Sequence, residues 1–450
     1  MMSLAEAAEA MQGRRVGADA RIAGVSTDSR SVAAGELFFA IRGERFDGHD
    51  FLGMARERGA AGAVVDAAFR EAAPLPVVRV DDTRRALGRL GRHWRARFSP
   101  AVIAIAGANG KTTTKEMLAA ILRAHAGEDA VLATRGNLNT DIGVPLTVLR
   151  LTGAHRYAAV ELGMNHPGEI AGLAAVAQPT IAVVTNAQRE HMEFMGSVEA
   201  SAAENAQALR ALPADGTAVI NSDDDCAPIF RDAAAARRVV DFGLRGAPAV
   251  GGGYALRPLS SEIELRTPAG GARATLAIPG LHNVRNALAA AACAHAAGIS
   301  PEAIARGLEA FRPYAGRLAT RRTRAGATLL DDSYNANPDS VRAAIDVLAA
   351  CPAPTLLILG DMGEVGERGP AFHREVGAYA RSRGIGALYA LGEASREAAA
   401  AFGAGARHFD SPEALAAAAG DAATVLVKGS RFMRMERVVA ALAGGNGGGH

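Results

Sequence analysis

Residues 101–126 read AVIAIAGANGKTTTKEMLAAILRAHA. An apolar run passes through a glycine-bearing turn into a helix-forming stretch. This order fits a buried strand, a tight loop and a helix packed back on the strand. The loop Gly107, Ala108, Asn109, Gly110, Lys111, Thr112 and Thr113 has the composition of a phosphate cradle. Glycines let backbone N–H groups turn toward phosphate oxygens, and the helix start adds its positive dipole end. Lys111 would reach the β- and γ-phosphates, and the Thr112 hydroxyl would bind Mg²⁺. Ile105 stands where the common P-loop has glycine, so this is a shorter variant. ATP is the expected ligand.

The same alternation recurs along the chain. Apolar strands are expected at 157–162 (YAAVEL), 181–186 (IAVVTN) and 216–221 (GTAVIN), with Ala-rich helical stretches between them. Strands alternating with helices indicate α/β architecture, here a doubly wound, mostly parallel central sheet containing the P-loop. The stretch 241–279 changes to alternating strands (SEIELRT, ARATLAIP) and reads as an antiparallel extension of that unit, which closes with a helix at 283–298. The expected division is a small α/β unit at 1–97, the central unit at 98–312, and a smaller Rossmann-like α/β unit at 313–443. The third unit has strands at 327–333, 355–361, 387–392 and 424–430. The Gly-rich tail 444–450 is expected to be disordered.

Composition narrows the function. A net charge of +2 gives no field that favours nucleic acid or an anionic membrane. Of 49 basic residues only Lys111, Lys115 and Lys428 are lysine. Each is expected where a compact point charge is needed and the wide arginine fork would fail. Cys226, Cys293 and Cys351 lack disulfide or metal spacing. The N-terminus lacks a signal-type apolar stretch and no membrane-length run follows, so a cytoplasmic location is expected. A monomer is expected separately, and the sequence leaves the oligomeric state open.

Two further side chains follow strands of the central sheet. Glu161 ends YAAVE, and His191 comes shortly after IAVVTN. Open α/β sheets bind ligands at the carboxyl ends of their strands, so both are metal candidates.

Taken together, GANGKTTT, the glutamate after the second strand, HNVRNALAA (282–290), YAGRLA (314–319) and DDSYNANPDS (331–340) resemble the Mur ligase family over essentially the whole chain. Several segments look like the family member that adds the D-alanyl-D-alanine dipeptide. They are GNLNTDIGVPLTVL (136–149), VELGMNHPGEI (160–170), DSYNANP (332–338), LGDMGEVG (359–366) and LVKGSRFMRME (426–436). The resemblance implies a carbon–nitrogen ligase that consumes ATP with Mg²⁺ and forms an acyl phosphate on UDP-N-acetylmuramoyl-tripeptide. The N-terminal TDSR…GELFFAIRGERFDGHDF resembles the UDP-sugar-binding domain. The third unit would bind the dipeptide. Lys111 and Arg317 would hold phosphates; Thr112 and Glu161 would bind one Mg²⁺, and His191 a second. Asn283 or Asn286 would meet the adenine, with Asp332 at the ribose and Asn335 nearby. Ser29, Arg30, Asn137, Asn139, Thr140, Asn337, Lys428, Ser430 and Arg431 would form the substrate set.

One departure stands out. The family usually carries a CO₂-modified lysine on the helix after His191, but its position here is Asn205. The neighbouring Glu204 is expected to supply the missing carboxylate. The alternatives are the sister ligase that adds the third residue, a folate polyglutamate ligase, and a nucleotide-binding regulatory ATPase. DSYNANP argues against the sister and the N-terminal unit against the folate enzyme. A regulatory ATPase would turn over ATP without acceptor or amine.

Overall fold

The computed structural model describes residues 1–443, so the tail 444–450 expected to be disordered lies outside the described residues. The strand Ala101–Ala106 organises the central part. Ile103 and Ile105 share one core with Met117, Leu118 and Ile121 of the helix Lys111–Ala126. Val102, Ala104 and Ala106 share another with Ile170, Leu173 and Leu209. A strand apolar on both faces belongs inside a parallel sheet covered on both sides.

The central sheet has six parallel strands, in the order Arg238–Phe242, Thr217–Asn221, Ile181–Val184, Ala101–Ala106, Tyr157–Glu161 and Val131–Ala133. The chain lays down Ala101–Ala106, moves to one side, then crosses to Ile181–Val184 on the other. The carboxyl end of Ala101–Ala106 is therefore the switch point where such sheets bind ligands.

The stretch expected as an antiparallel extension of the central unit forms a three-stranded antiparallel sheet from Gly251–Leu256, Ser261–Thr267 and Gly270–Leu276. Burial alternates residue by residue in Ser261–Thr267, so one face is covered, and the helix Pro301–Ala310 packs against it.

The N-terminal sheet has the order Arg14–Val16, Val77–Val80, Gly62–Asp66, Glu36–Phe39 and Gly24–Ser26, with only the first pair antiparallel. The helix Thr83–Arg95 leaves it, started by the Asp82 carboxylate, which accepts the Arg84 and Arg85 N–H groups. That helix docks on the central part. Trp94 Nε1 donates to Leu151 O at 3.0 Å, and Arg95 Nε donates to Ala177 O at 3.0 Å.

The C-terminal sheet has the order Ala319–Arg322, Thr328–Asp332, Thr424–Lys428, Thr355–Gly360, Ala387–Leu391 and Ala406–Phe409, antiparallel only at its first pair. Asp332 and Lys428 are register partners at the carboxyl ends of neighbouring strands. The three cysteines are free and buried. No helix among the described residues is long and apolar enough to cross a membrane.

Candidate active site

The phosphate loop is braced from the next strand end. Ala108 N–H donates to Asn186 O, and Asn109 N–H to Asn186 Oδ1, each at 2.9 Å. Thr185 Oγ1 donates to Asn109 O at 2.8 Å. Gly107 N–H donates to Asn205 Oδ1 at 2.7 Å. Gly110 has a φ of +82°, and a Cβ there would stand 2.1 Å from Asn286 Oδ1. Only glycine fits both the left-handed turn and that approach. The helix Lys111–Ala126 then begins with N–H groups that have no intrahelical acceptor, aimed where an anion binds.

All three lysines act as compact charges in tight polar cages. Lys111 Nζ donates to Gly107 O at 2.6 Å, Ala108 O at 3.0 Å and Glu190 Oε1 at 2.7 Å. Lys115 is fully buried and donates to Thr134 O at 2.9 Å and to Glu116. Thr134 Oγ1 in turn accepts the Glu161 N–H at 3.0 Å, so Lys115 supports the strand end that carries Glu161. Lys428 donates to Asp332 Oδ2 at 2.5 Å and Asn335 O at 2.9 Å. An ammonium with three donors fits such cages where a planar fork does not. Burial lowers the pKa of Lys428, and Asp332 opposes that shift.

Glu161 is buried and accepts from Thr112 Oγ1 at 3.2 Å and Asn139 Nδ2 at 2.8 Å. Its Oε2 is buried without a partner among the described residues. His191 Nε2 lies 3.6 Å from Glu190 Oε1, and Nδ1 lies 2.6 Å from Glu364 Oε2 of the C-terminal part. Burial disfavours the charged ring, but Glu190 and Glu364 outweigh it and raise its pKa to about 9.

Two cavities meet at the loop. One, of about 1070 Å³, is lined by Ala108, Lys111, Thr112, Asn139, Thr140, Glu161, Glu190, His191, Asn335 and Asn337, with Arg84, Arg85 and Arg92 along one wall. The other, of about 520 Å³, is lined by Thr113, His282, Asn283, Asn286 and Asp332. Asn109, Gly110, Arg317 and Lys428 border both. The Arg317 guanidinium lies over the Tyr334 ring, 4.2 Å from its centroid.

Several residues expected at the substrate are elsewhere or engaged. Ser29 and Arg30 lie in the N-terminal part and line neither cavity; Arg30 forks onto Asp28. Asn137 is exposed and also lines neither. Ser430 Oγ accepts the Gly363 N–H at 2.7 Å and donates to Ala336 O at 3.1 Å. Arg431 is exposed and pairs with Glu436 at 3.0 Å. Asn337 caps the helix Pro338–Ala349, and its amide meets that of Asn109 across the cleft at 2.9 Å. The expectation for Glu204 is corrected. It accepts the Ile170 N–H at 2.9 Å and lines neither cavity. Adjacent residues on one helix point in different directions, so Asn205 faces the loop while Glu204 faces away. Glu190, Arg189 and Asn186 were not anticipated, although the segment NAQREH holds all three beside His191.

The chain matches the Mur ligase middle domain over residues 105–294, the Mur ligase, glutamate ligase domain over 316–431, and the Mur ligase family, catalytic domain over 21–95. It is 38% identical over 449 residues to the UDP-N-acetylmuramoyl-tripeptide--D-alanyl-D-alanine ligase of Escherichia coli (strain K12), covering 98% of each chain. The chain belongs to the Mur ligase family. The like-named enzyme of Bacillus subtilis (strain 168) is 34% identical, covering 93% of this chain and 92% of that one. MurF from Acinetobacter baumannii superposes with a TM-score of 0.90 at 33% identity, covering 98% of this chain and 99% of that one. MurF ligase from Thermotoga maritima in complex with ADP gives 0.81 at 25% identity, covering 94% and 97%.

The oxygen-rich donors around the loop have the chemistry that would suit a Mg²⁺ ion. Thr112 Oγ1 and the unpartnered Glu161 Oε2 are hard ligands, and His191 is close by. No group of three His, Cys, Asp or Glu among the described residues could hold a metal unaided. Mg²⁺ beside a nucleotide takes most of its ligands from phosphates and water, so one or two protein donors suffice.

Proposed function

We propose that this Mur ligase joins D-alanyl-D-alanine to UDP-N-acetylmuramoyl-tripeptide at the expense of ATP, giving ADP, phosphate and the pentapeptide precursor of peptidoglycan. The observation that carries this reading is the meeting of two cavities at the loop residues Asn109 and Gly110 and at Arg317 and Lys428. The smaller one suits adenosine, with Asn283 or Asn286 at the base and Asp332 toward the ribose. The larger one suits the acceptor peptide. Relatives 38% and 34% identical carry the name of this reaction.

A carboxylate does not condense with an amine at neutral pH without activation. The terminal carboxylate of the tripeptide attacks the γ-phosphorus, ADP leaves, and an acyl phosphate forms. The dipeptide amine adds to its carbonyl carbon, and the tetrahedral adduct expels phosphate. In such transfers the protein supplies position and charge neutralisation. Lys111 reaches phosphate oxygens once its contacts with the backbone oxygens of Gly107 and Ala108 are exchanged. Arg317 meets the γ-phosphate from the side of Tyr334. Thr112 and Glu161 would hold one Mg²⁺ and His191 a second; the metal's contribution is to neutralise the phosphates. Asn139 and Thr140 line the acceptor cavity, and Lys428 closes it from the C-terminal sheet. The division 1–97, 98–312 and 313–443 assigns nucleotide-sugar, ATP and dipeptide to one part each. Ser29 and Arg30 serve the first, and Asn337, Ser430 and Arg431 the last.

Oxygen labelling tests this route. Tripeptide labelled with ¹⁸O in its terminal carboxylate should yield phosphate carrying one ¹⁸O. Unlabelled phosphate would rule out attack by that carboxylate on ATP.

A further inference from the structure

Glu190 follows the strand Ile181–Val184 and lies next to His191 in sequence. Its Oε1 accepts from Lys111 Nζ at 2.7 Å. Its Oε2 is buried without a partner among the described residues. Glu161, 2% exposed and lining the same cavity, also presents a buried Oε2 without a partner. A buried carboxylate oxygen without a donor is costly, on the order of 1–3 kcal/mol or more. Two of them beside a phosphate loop mark a place for a cation. Lys111 touches only one oxygen of Glu190, so the other remains available.

The other candidates nearby are committed, and Glu364 is already paired with His191 Nδ1 at 2.6 Å. Asn205, at the position of the family's modified lysine, is neutral and bound to Gly107 N–H. Glu204 is bound to the Ile170 N–H. Glu190 is the remaining carboxylate that borders both Lys111 and His191.

We infer that Glu190 is a ligand of the Mg²⁺ assigned to His191, and that it supplies the anionic oxygen which the family resemblance would assign to a CO₂-modified lysine. One oxygen aligns Lys111 and the other meets the metal. The site is thereby complete from encoded side chains, without CO₂. This inference rests on the ligase reading of the site.

The test is a Mn²⁺ titration of the full chain, followed by electron paramagnetic resonance, with a non-hydrolysable ATP analogue present. Glu190→Gln keeps an acceptor for Lys111 and removes the charge. Wild type should bind two Mn²⁺. Glu190→Gln should keep the first and bind the second about tenfold or more weakly. Glu204→Gln should match wild type. Equal binding of both ions by Glu190→Gln and wild type, or one ion only in wild type, would overturn the inference. The titration needs neither acceptor nor dipeptide. A chain that shows this pattern but incorporates no dipeptide fails the ligase reading alone.

Discussion

Asn205 Oδ1 accepts the Gly107 N–H at 2.7 Å, joining residues 98 apart in the chain. This bond fixes the entry to the phosphate loop from the helix Val198–Asn205. Asn205 is 1% exposed, and its Nδ2 donates back to Ser201 O at 3.0 Å. Asn205→Ala leaves the Gly107 N–H buried without an acceptor, which costs about 1–3 kcal/mol. The variant should melt lower and bind an ATP analogue more weakly by calorimetry. Wild-type melting with wild-type affinity would contradict this.

Lys428 and Asp332 form a buried pair at 2.5 Å, with side chains 4% and 12% exposed. Removing one partner strands the other charge. Lys428→Met should therefore destabilise by about 3–5 kcal/mol. Adding Asp332→Leu should recover much of that loss, giving a large coupling energy in a denaturation cycle. Both single variants should lose activity, because the pair borders the smaller cavity. Additive single effects would show that the pair is not coupled.

How much of this was legible in the sequence depends on how local each feature is. Ala101–Ala106 and its loop announce themselves, because a strand buried on both faces is a continuous apolar run ending in glycine. The edge strands Val131–Ala133 and Ala406–Phe409 were not read, because three or four residues carry too little periodicity. The strands at 251–276 are legible as an antiparallel addition to the central part, whereas which strands neighbour each other is not, since alternation reports faces and not neighbours. The lysines were legible through the scarcity of their type. Glu190 was not: its partner Lys111 is 79 residues away, and nothing local distinguishes it from a solvated turn acid. Ser430 was assigned by its segment, but its hydroxyl joins Gly363 to Ala336, a contact that only the folded chain reveals.

Arg189 joins the central part to the C-terminal part. Its guanidinium donates to Asp339 Oδ1 at 2.5 Å and to Glu375 Oε2 at 2.7 Å, and lies over the Phe372 ring. Lysine cannot span two carboxylates as a planar fork can. Arg189→Lys should lower kcat/KM about tenfold, equivalent to ~1.4 kcal/mol, while the melting temperature changes little. Steady-state kinetics at a wild-type rate would show that this bridge does not serve the reaction.

His282 provides a pH signature. Burial, with Lys428 and Arg285 nearby, lowers its pKa from 6.5 to about 4. Between those values the unfolded chain binds a proton that the folded ring refuses, so stability rises with pH. Its contribution is full above pH 6.5 and is lost as the pH falls toward 4. Urea unfolding across this window should give a shallower slope for His282→Gln than for wild type. Equal slopes would remove His282 as the cause.

The most direct test of the ligase account is phosphate release by the purified chain with ATP and Mg²⁺, omitting UDP-N-acetylmuramoyl-tripeptide and D-alanyl-D-alanine in turn. The account predicts that release requires both, and that the product gains the mass of the dipeptide. Release that continues undiminished without either substrate would contradict it.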